Sequence, residues 1–489
     1  MGATRRGVPG PAPVPVTAAQ EARALAAFHA QSHDKDVEPV RTLFFGRTLG
    51  DPALRTAAGA PLPEPARGAL AALRAADAAG PAIGGGWSPG ARLAAACAEA
   101  VRVRRVSPAD RYPVHRAYPS PRGLFGADVF LLPAEGGGWC LRMDPRTCAL
   151  HPWAGSPVPD DLEAALAGAR VAVAVDHRRY PPEYGRLRPS LALLEGGHLA
   201  ATLGLALTRA GLAPRTLFAP AGVPVPEGFA PCALLTNEPG AEAGGTAGAD
   251  DAAAEPAGAT GAVEVGAGAL ARAAAVAARA AAGTGLRDWL DARTSGVSTA
   301  NLVTSAYVSP GDGAGVTAAL AAALAAAVPA APADTLRLDR VVLAGDRVDD
   351  RVAAELYPGG GTGPDRPVPR TGDTNASSSL GYTLSADFGP WARAFGDRAQ
   401  TALHPLLGWI AQWGCLAAAG SGLCARPMRN YTESEWAAVL GLGPDTTPAY
   451  QLWVRAERGA YLDLPVDAVL PDPSPSTTLN GSATRALLL

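Results

Sequence analysis

Leucines at 191, 193, 194, 199, 203, 205 and 207 cover every face of a helix when set at helical spacing, where an ordinary surface helix would carry one stripe. A helix that is apolar all round must be surrounded by protein, so Ser190 to Ala210 is expected as a central helix packed on all sides. The chain does this twice. Leu406 to Ala419 repeats the pattern with Leu407, Ile410, Trp413 and Leu416. Both segments belong to an internal repeat at an offset of 211 residues, in which Asp176 falls on Asp387, Tyr184-Gly185 on Phe395-Gly396 and Leu205 on Leu416. Gly211-Leu212 falls on Gly422-Leu423 and Arg215 on Arg426, with no gap needed over the forty residues from Asp176 to Arg215. A period this long signals duplicated domains. Identities alone are weak in an alanine-rich chain; the shared order of strand, Tyr/Phe-Gly turn and long buried helix ending Gly-Leu-x-x-Arg is the stronger sign.

At 489 residues and 48% hydrophobic content the chain can bury a large core, with two or three domains as the prior. Lysine occurs once, at Lys35, while arginine is abundant. A net charge of −3 provides no broad basic field for phosphates, which argues against nucleic acid as a partner, although Arg102 to Arg105 form a local patch. Six cysteines, at 97, 140, 148, 232, 415 and 424, form no CxxC pair, and this usage suits a reducing cytoplasm. The N-terminus lacks the order of a signal peptide. No run approaches ~18 uninterrupted apolar residues, so no membrane role is expected.

Residues 1–20 read as a disordered Pro/Ala arm. Residues 21–90 read as helices separated by Pro/Gly clusters, and this is where peptide or partner binding is expected. A first folded unit follows over 91–237, then a Gly/Ala-rich linker over 238–283 whose end suits a helix, a second unit over 284–470 and a flexible tail over 471–489. His29 and His33 show i,i+4 spacing near Asp34 but lack a third patterned ligand, so no metal site is read. Gly136-Gly137-Gly138 ahead of Trp139 reads as a hairpin turn and not a nucleotide loop, and Ser120 lacks a nucleophile elbow.

Arg116-Ala-Tyr-Pro119-Ser120-Pro-Arg-Gly123 ahead of a strand, with a later Tyr184-Gly185 turn feeding a helix that carries Glu195-Gly-Gly-His198, resembles the nitroreductase-like flavoproteins. Within them the pattern is similar to the SagB-type azoline dehydrogenases. The resemblance covers residues 90–235 and 285–460. It implies an α+β chain of two fused nitroreductase-like units forming an intrachain pseudo-dimer, with FMN at the interface between them. The family's Arg-x-Ser phosphate motif matches Arg293-Thr294-Ser295, which follows Leu286, Trp289 and Leu290 at helical spacing; the same offset places Ala82-Ile83-Gly84 in the first unit. The family's Pro-Ser-x-x-Gly loop, which lies against the flavin, matches Pro119, Ser120 and Gly123; the second unit there reads Ala330-Ala331-Pro332-Ala333-Asp334. Each half keeps what the other lacks, which implies one composite FMN site per chain. Arg116 and Arg426 complete the implied cofactor contacts. For Arg426 and its mirror Arg215 the alternative is that they complement helix C-terminal carbonyls.

Azoline oxidation takes a proton from one carbon and a hydride from its neighbour, so a base is required. Where the resembling enzymes carry Lys-Tyr, this chain reads Glu183-Tyr184. The implied candidates are Tyr184, with a cationic neighbour such as Arg186, and Glu183 as a buried base; a packing tyrosine and a solvated glutamate are the other readings. Glu195 and His198 share a helix face and are expected to bond each other or the backbone, with His198 neutral; their mirrors are Leu406 and Trp409. The resemblance thus implies an FMN-dependent azoline dehydrogenase of a thiopeptide-type pathway, returning electrons to oxygen. A precursor peptide bearing azolines and a cyclodehydratase complex would be its partners, and further homodimerisation is left open. Two other readings stand beside it, a flavin reductase or dehydrogenase acting on another substrate and a flavin-free scaffold of a biosynthetic complex.

Overall fold

The computed structural model describes residues 16–32, 59–76, 82–83, 86–106, 112, 114–134, 138–153, 155–242, 262–280, 290–293, 295, 304–306, 308–309, 311–343, 352–357, 380–429, 431–458 and 464–465. In chain order the first half contains helices α1 (Ala18–Ser32), α2 (Glu64–Ala75) and α3 (Pro89–Val101), then strands β1 (Arg105–Val106), β2 (Val114–His115), β3 (Ala127–Leu132), β4 (Leu141–Met143) and β5 (Leu150–Pro152). Helix α4 (Leu162–Ala167), β6 (Arg170–Val175), α5 (Arg188–Arg209), β7 (Leu212–Phe218), β8 (Ala230–Glu242) and β9 (Val263–Val265) follow. The second half contains α6 (Ala267–Ala280), β10 (Thr304–Ala306), α7 (Ala314–Ala327), β11 (Leu336–Leu343), β12 (Val352–Tyr357) and β13 (Leu380–Asp387). It ends with α8 (Phe388–Phe395), α9 (Ala399–Gly420), β14 (Cys424–Met428), α10 (Glu433–Leu440), β15 (Thr446–Arg458) and β16 (Leu464–Pro465).

Two antiparallel sheets flank a helical centre. One has the order β5-β4-β3-β6-β8-β7-β9; the other runs β10-β15-β13-β11-β12, with β14 also paired to β15. Five strands of each sheet stand in the same relative order, β4-β3-β6-β8-β7 against β12-β11-β13-β15-β14. The repeat reaches irregularities as well. The β6–β8 ladder shifts register between Val173 and Ala174, and the β13–β15 ladder shifts between Leu384 and Ser385, 211 residues on. Asp176 and Asp387 each accept from the amide two residues ahead, and Gly185 (φ 49°, ψ −129°) matches Gly396 (φ 53°, ψ −131°).

Helices α5 and α9 pack on each other at the centre, α3 covering α5 while α6 and α7 cover α9. The close approach depends on two glycines. A Cβ on Gly197 would stand 2.0 Å from the Pro405 carbonyl oxygen, and one on Gly408 would stand 2.1 Å from that of Leu194. These four positions are two pairs at the 211 offset, so the contact is reciprocal in the way a two-fold axis makes it. Tyr184–Arg209 is apolar and long enough to cross a membrane by composition, yet 94% of its most apolar window is buried inside the protein. Burial by neighbouring elements is what the all-round leucines require.

The boundaries differ from expectation in four places. Helix α1 begins at Ala18, inside the stretch read as an arm, because Thr17 and Gln20 form a reciprocal cap in which Gln20 N donates to Thr17 Oγ1 and Thr17 N to Gln20 Oε1. Residues 238–283, read as a linker ending in a helix, include the end of β8, strand β9 paired to β7, and α6. Helix α9 starts ahead of Pro405 instead of after it; one lost backbone bond is outweighed by a helix face that is buried throughout. Residues 21–90 are no separate region, since Leu62, Leu70 and Leu73 join the main core and Phe28 of α1 stacks on Phe388 at 4.0 Å. The 1–15 part of the arm and the tail from 471 lie outside the described residues.

Candidate functional site

Two donors from the second half hold one loop of the first. Arg293 Nε donates to the Arg116 carbonyl at 3.0 Å, and Gln412 Nε2 donates to the Ala117 carbonyl at 2.8 Å. Arg293 also donates to Ser295 Oγ at 3.4 Å, and the Ser295 carbonyl accepts from Arg426 Nε at 3.3 Å. Arg116, Arg293, Ser295 and Arg426, drawn from both ends of the sequence, therefore meet. The Arg102 to Arg105 patch is part of the support. Arg102 and Arg104 reach the Asp291 carboxylate at 3.4 and 3.2 Å, and Arg105 donates to the Arg293 carbonyl at 3.4 Å.

The place is cationic. Arg116 and Arg293 are buried, and among the described residues neither has a carboxylate at ion-pair distance. Arg116 donates to Tyr118 Oη at 2.8 Å and lies over the Phe125 ring at 4.0 Å, while its Nε is buried with no hydrogen-bond partner among the described residues. Burial, helped by Arg105, lowers the Arg293 guanidinium to about 10, against the opposing influence of Cys415 and Tyr118. Burial, then Arg105 and Arg293, lowers His115 to about 3 and keeps it neutral. Buried guanidinium groups without a counter-charge cost several kcal/mol, so this cluster suits a bound anion.

Pro119 is buried, and Ser120 opens a tight turn in which Arg122 (φ 54°) and Gly123 (φ 65°) are both left-handed. The equivalent Asp334 keeps φ at 56° although the sequence differs. A Cβ on Gly123 would meet nothing nearer than 3.6 Å, so within the protein the glycine supplies backbone conformation more than room. Ser120 Oγ accepts from Phe125 N at 2.8 Å and donates to Glu195 Oε2 at 2.5 Å. The same carboxyl group accepts from Tyr180 Oη at 2.6 Å and from Ala127 N at 3.1 Å. Burial raises the Glu195 pKa, while the hydrogen bonds from Ser120, Tyr180 and Ala127 oppose it.

Glu195 and His198 do not bond each other. Gln412 Nε2 donates to Ala117 O and, at 3.1 Å, to Thr202 Oγ1, which leaves Gln412 Oε1 to accept from His198 Nδ1–H at 2.9 Å. His198 Nε2 then accepts from Tyr450 Oη at 2.9 Å. This fixes a neutral tautomer, in keeping with a pKa that burial lowers to about 3. Sequence reasoning missed Gln412, Tyr450, Tyr180 and Tyr118. Gln412 left a trace as the one amide in the apolar run Leu406 to Ala419; the tyrosines left none.

Tyr184 is half-buried, and the cation near its ring is Arg122 at 5.3 Å; Arg186, the neighbour expected for it, is exposed. The Glu183 side chain lies outside the described atoms. Arg215 pairs with Glu264, and the carbonyls of Ala210 and Gly211 just past α5 are met by Arg92 at 3.3 and 3.1 Å, so another arginine takes the helix-end role that was one of two readings for Arg215. Ala82 and Ile83, where the first half lacks Arg-x-Ser, donate their amides to the Arg209 carbonyl at 2.7 and 3.2 Å and so cap α5. A cavity of about 540 Å³ lies elsewhere, between α1 and the first turns of α5 and α9, and is lined by Ala24, Ala27, His177, Leu193 and Gln400 among others but by none of the expected site residues.

No family model and no curated protein matches the chain by sequence. Among solved structures, a protein of Anabaena variabilis assigned as a nitroreductase superposes with a TM-score of 0.56 at 14% identity, over 89% of this chain and 99% of that one. The fold is nitroreductase-like. A Ralstonia eutropha protein also assigned as a nitroreductase (TM-score 0.23, 18% identity, 41% and 96% coverage) and the E. coli microcin synthetase McbBCD complex (0.21, 16%, 24% and 51%) overlap too little to bear on it. In this nitroreductase-like fold the polar groups gathered around Ser120 belong to the first half only. Ser120, Tyr180, Glu195 and His198 have Ala331, Trp391, Leu406 and Trp409 as their equivalents, all buried. Helix α1 lies chiefly on the second half, with Gln20 and the preceding Val16 against Gly396, and also touches residues 182–187 of the first.

Proposed function

We propose that the chain is an FMN-dependent oxidoreductase, a fused pseudo-dimer with one flavin between its halves, that oxidises azolines in a peptide to azoles. The observation that carries the cofactor reading is the meeting of Arg116 and Arg293, both buried, where among the described residues neither has a carboxylate at ion-pair distance and Arg116 Nε has no hydrogen-bond partner. That donor set fits a phosphate, whose oxygens guanidinium groups can fork onto. Arg293, Ser295 and Arg426 would hold the phosphate end, with Arg116 beside it, and the Pro119–Gly123 turn would face the ring. The reciprocal Gly197 and Gly408 contact and the repeated register shift support the pseudo-dimer reading.

FMN, when bound, supplies the acceptor for the hydride leaving the substrate carbon. The residues of this chain orient the ring, exclude water and take the proton from the neighbouring carbon. Tyr184 is the candidate for that proton, with the Arg122 guanidinium 5.3 Å from its ring centre. Glu183, adjacent in the chain, is the second. The azoline substrate, the precursor peptide and the cyclodehydratase partner rest on the motif resemblance.

The test is flavin content followed by turnover. Purified protein should carry FMN at one per chain, Arg293→Ala should lose it, and a synthetic thiazoline peptide should lose two hydrogen atoms by mass. Two flavins per chain would sink the single-site reading. A colourless protein that takes up no added FMN would favour the scaffold, and FMN binding without azoline oxidation would favour another substrate.

A further inference from the structure

A carboxyl group in a protein core has to be explained, because transfer from water penalises it unless every lone pair is met. Glu195 is 1% exposed in the middle of α5, where the repeat provides an internal control. The equivalent position in α9 is Leu406, fully buried, so this architecture builds the same site without a polar group. Its partners change with it, Ser120 to Ala331 and Tyr180 to Trp391. The fold does not require the cluster.

What separates the halves is the turn that Glu195 holds. Ser120 Oγ is filled by the Phe125 amide on one side and gives its proton to Glu195 on the other, so both ends of the turn from Ser120 to Phe125 hang on one oxygen pair. Ala127 N, the first amide of β3, is bonded to the other carboxylate oxygen. Tyr180 closes the set from the loop after β6. The carboxyl group thus ties the turn, the strand that follows it and the β6 loop to the central helix.

We propose that Glu195 is a positioning residue for the cofactor turn, holding Ser120 to Phe125 in the one arrangement that admits FMN. The proposal rests on the FMN reading above. It predicts a loss of flavin affinity that does not come from loss of folding, and one that travels through a single hydrogen bond.

The test is a double-mutant cycle with Ser120→Ala and Glu195→Gln, in which the Kd for added FMN is read by flavin fluorescence on deflavinated full-length chain and folding is checked by circular dichroism. Each single variant should be folded and should bind FMN at least about tenfold more weakly, the order of one charge-assisted hydrogen bond. The double variant should be no weaker than the weaker single. Unchanged Kd in the folded single variants, or losses that simply multiply in the double, would overturn the proposal. Should Glu195→Gln fail to fold, Tyr180→Phe takes its place in the cycle, because it removes a bond to the same carboxyl group and leaves the Ser120 turn its own side chains. Wild-type chain that binds no FMN would remove the cofactor reading itself; wild-type that binds it and variants that bind equally would remove only this inference.

Discussion

At the scale of single residues, the buried charges fall into two kinds. Glu99, 2% exposed, is met by Arg102 at 2.8 Å, Arg104 at 2.8 Å and Arg209 at 3.7 Å, and Arg102 and Arg104 in turn reach Asp291, two residues before Arg293. Burial would raise its pKa, but Arg104 and Arg102 outweigh that and hold it at about 2. A folded pKa below the unfolded value means stability that is present above about pH 4.5 and is lost as pH falls through about 2. The shift corresponds to roughly 3 kcal/mol. Thermal unfolding followed from pH 6 to pH 2 should show this decline, and Glu99→Gln should be less stable at neutral pH with a flatter acid limb; an unchanged limb would mean that other carboxylates set it. Arg116 and Arg293 are the other kind, cations that among the described residues have no carboxylate at ion-pair distance, and they mark the place where an anion is expected.

At the scale of elements, the contact between α5 and α9 is decided by two hydrogen atoms. Gly197 and Gly408 face each other's helix backbone, and a carbonyl oxygen cannot move aside as a side chain can. Gly197→Ala should therefore cost at least about 3 kcal/mol, at the high end for overpacking. Gly408→Ala should cost about the same. The double substitution should cost less than the sum, because helices parted by one methyl have already made room for the other. Midpoints of urea unfolding for the four proteins would show it; additive losses would mean that the two glycines relax independently.

At the scale of the molecule, the halves are not separable units. Helix α5 is buried on every side, and part of that cover is α9. Strand β16 from the end of the second half pairs with β1 ahead of the first sheet, and α1, which opens the chain, rests on α8 and α9. A fragment of residues 1–242 should accordingly aggregate when expressed alone and become soluble on co-expression with residues 262–489. Solubility of the first fragment by itself, read by size-exclusion chromatography, would show that α5 finds cover without its counterpart.

Much of this was written in the chain. All-round leucines dictate a central helix whatever its neighbours, and the Tyr/Phe-Gly turns and the 211 offset announce a repeat that the strand order, the register shifts and the glycine dihedrals then follow. Spacing along the sequence could not say which distant groups would meet. Arg293 on Arg116 and Gln412 on Ala117 are contacts across 177 and 295 residues, set by how the two halves pack together. The partners of Glu195 and His198 were likewise open, because residues three apart on a helix can turn to each other or to whatever packs against that face. Ser120 and Tyr180 took one and Gln412 and Tyr450 the other, and that choice belongs to tertiary packing, since a buried polar group bonds to the nearest complement that the surrounding elements bring within reach.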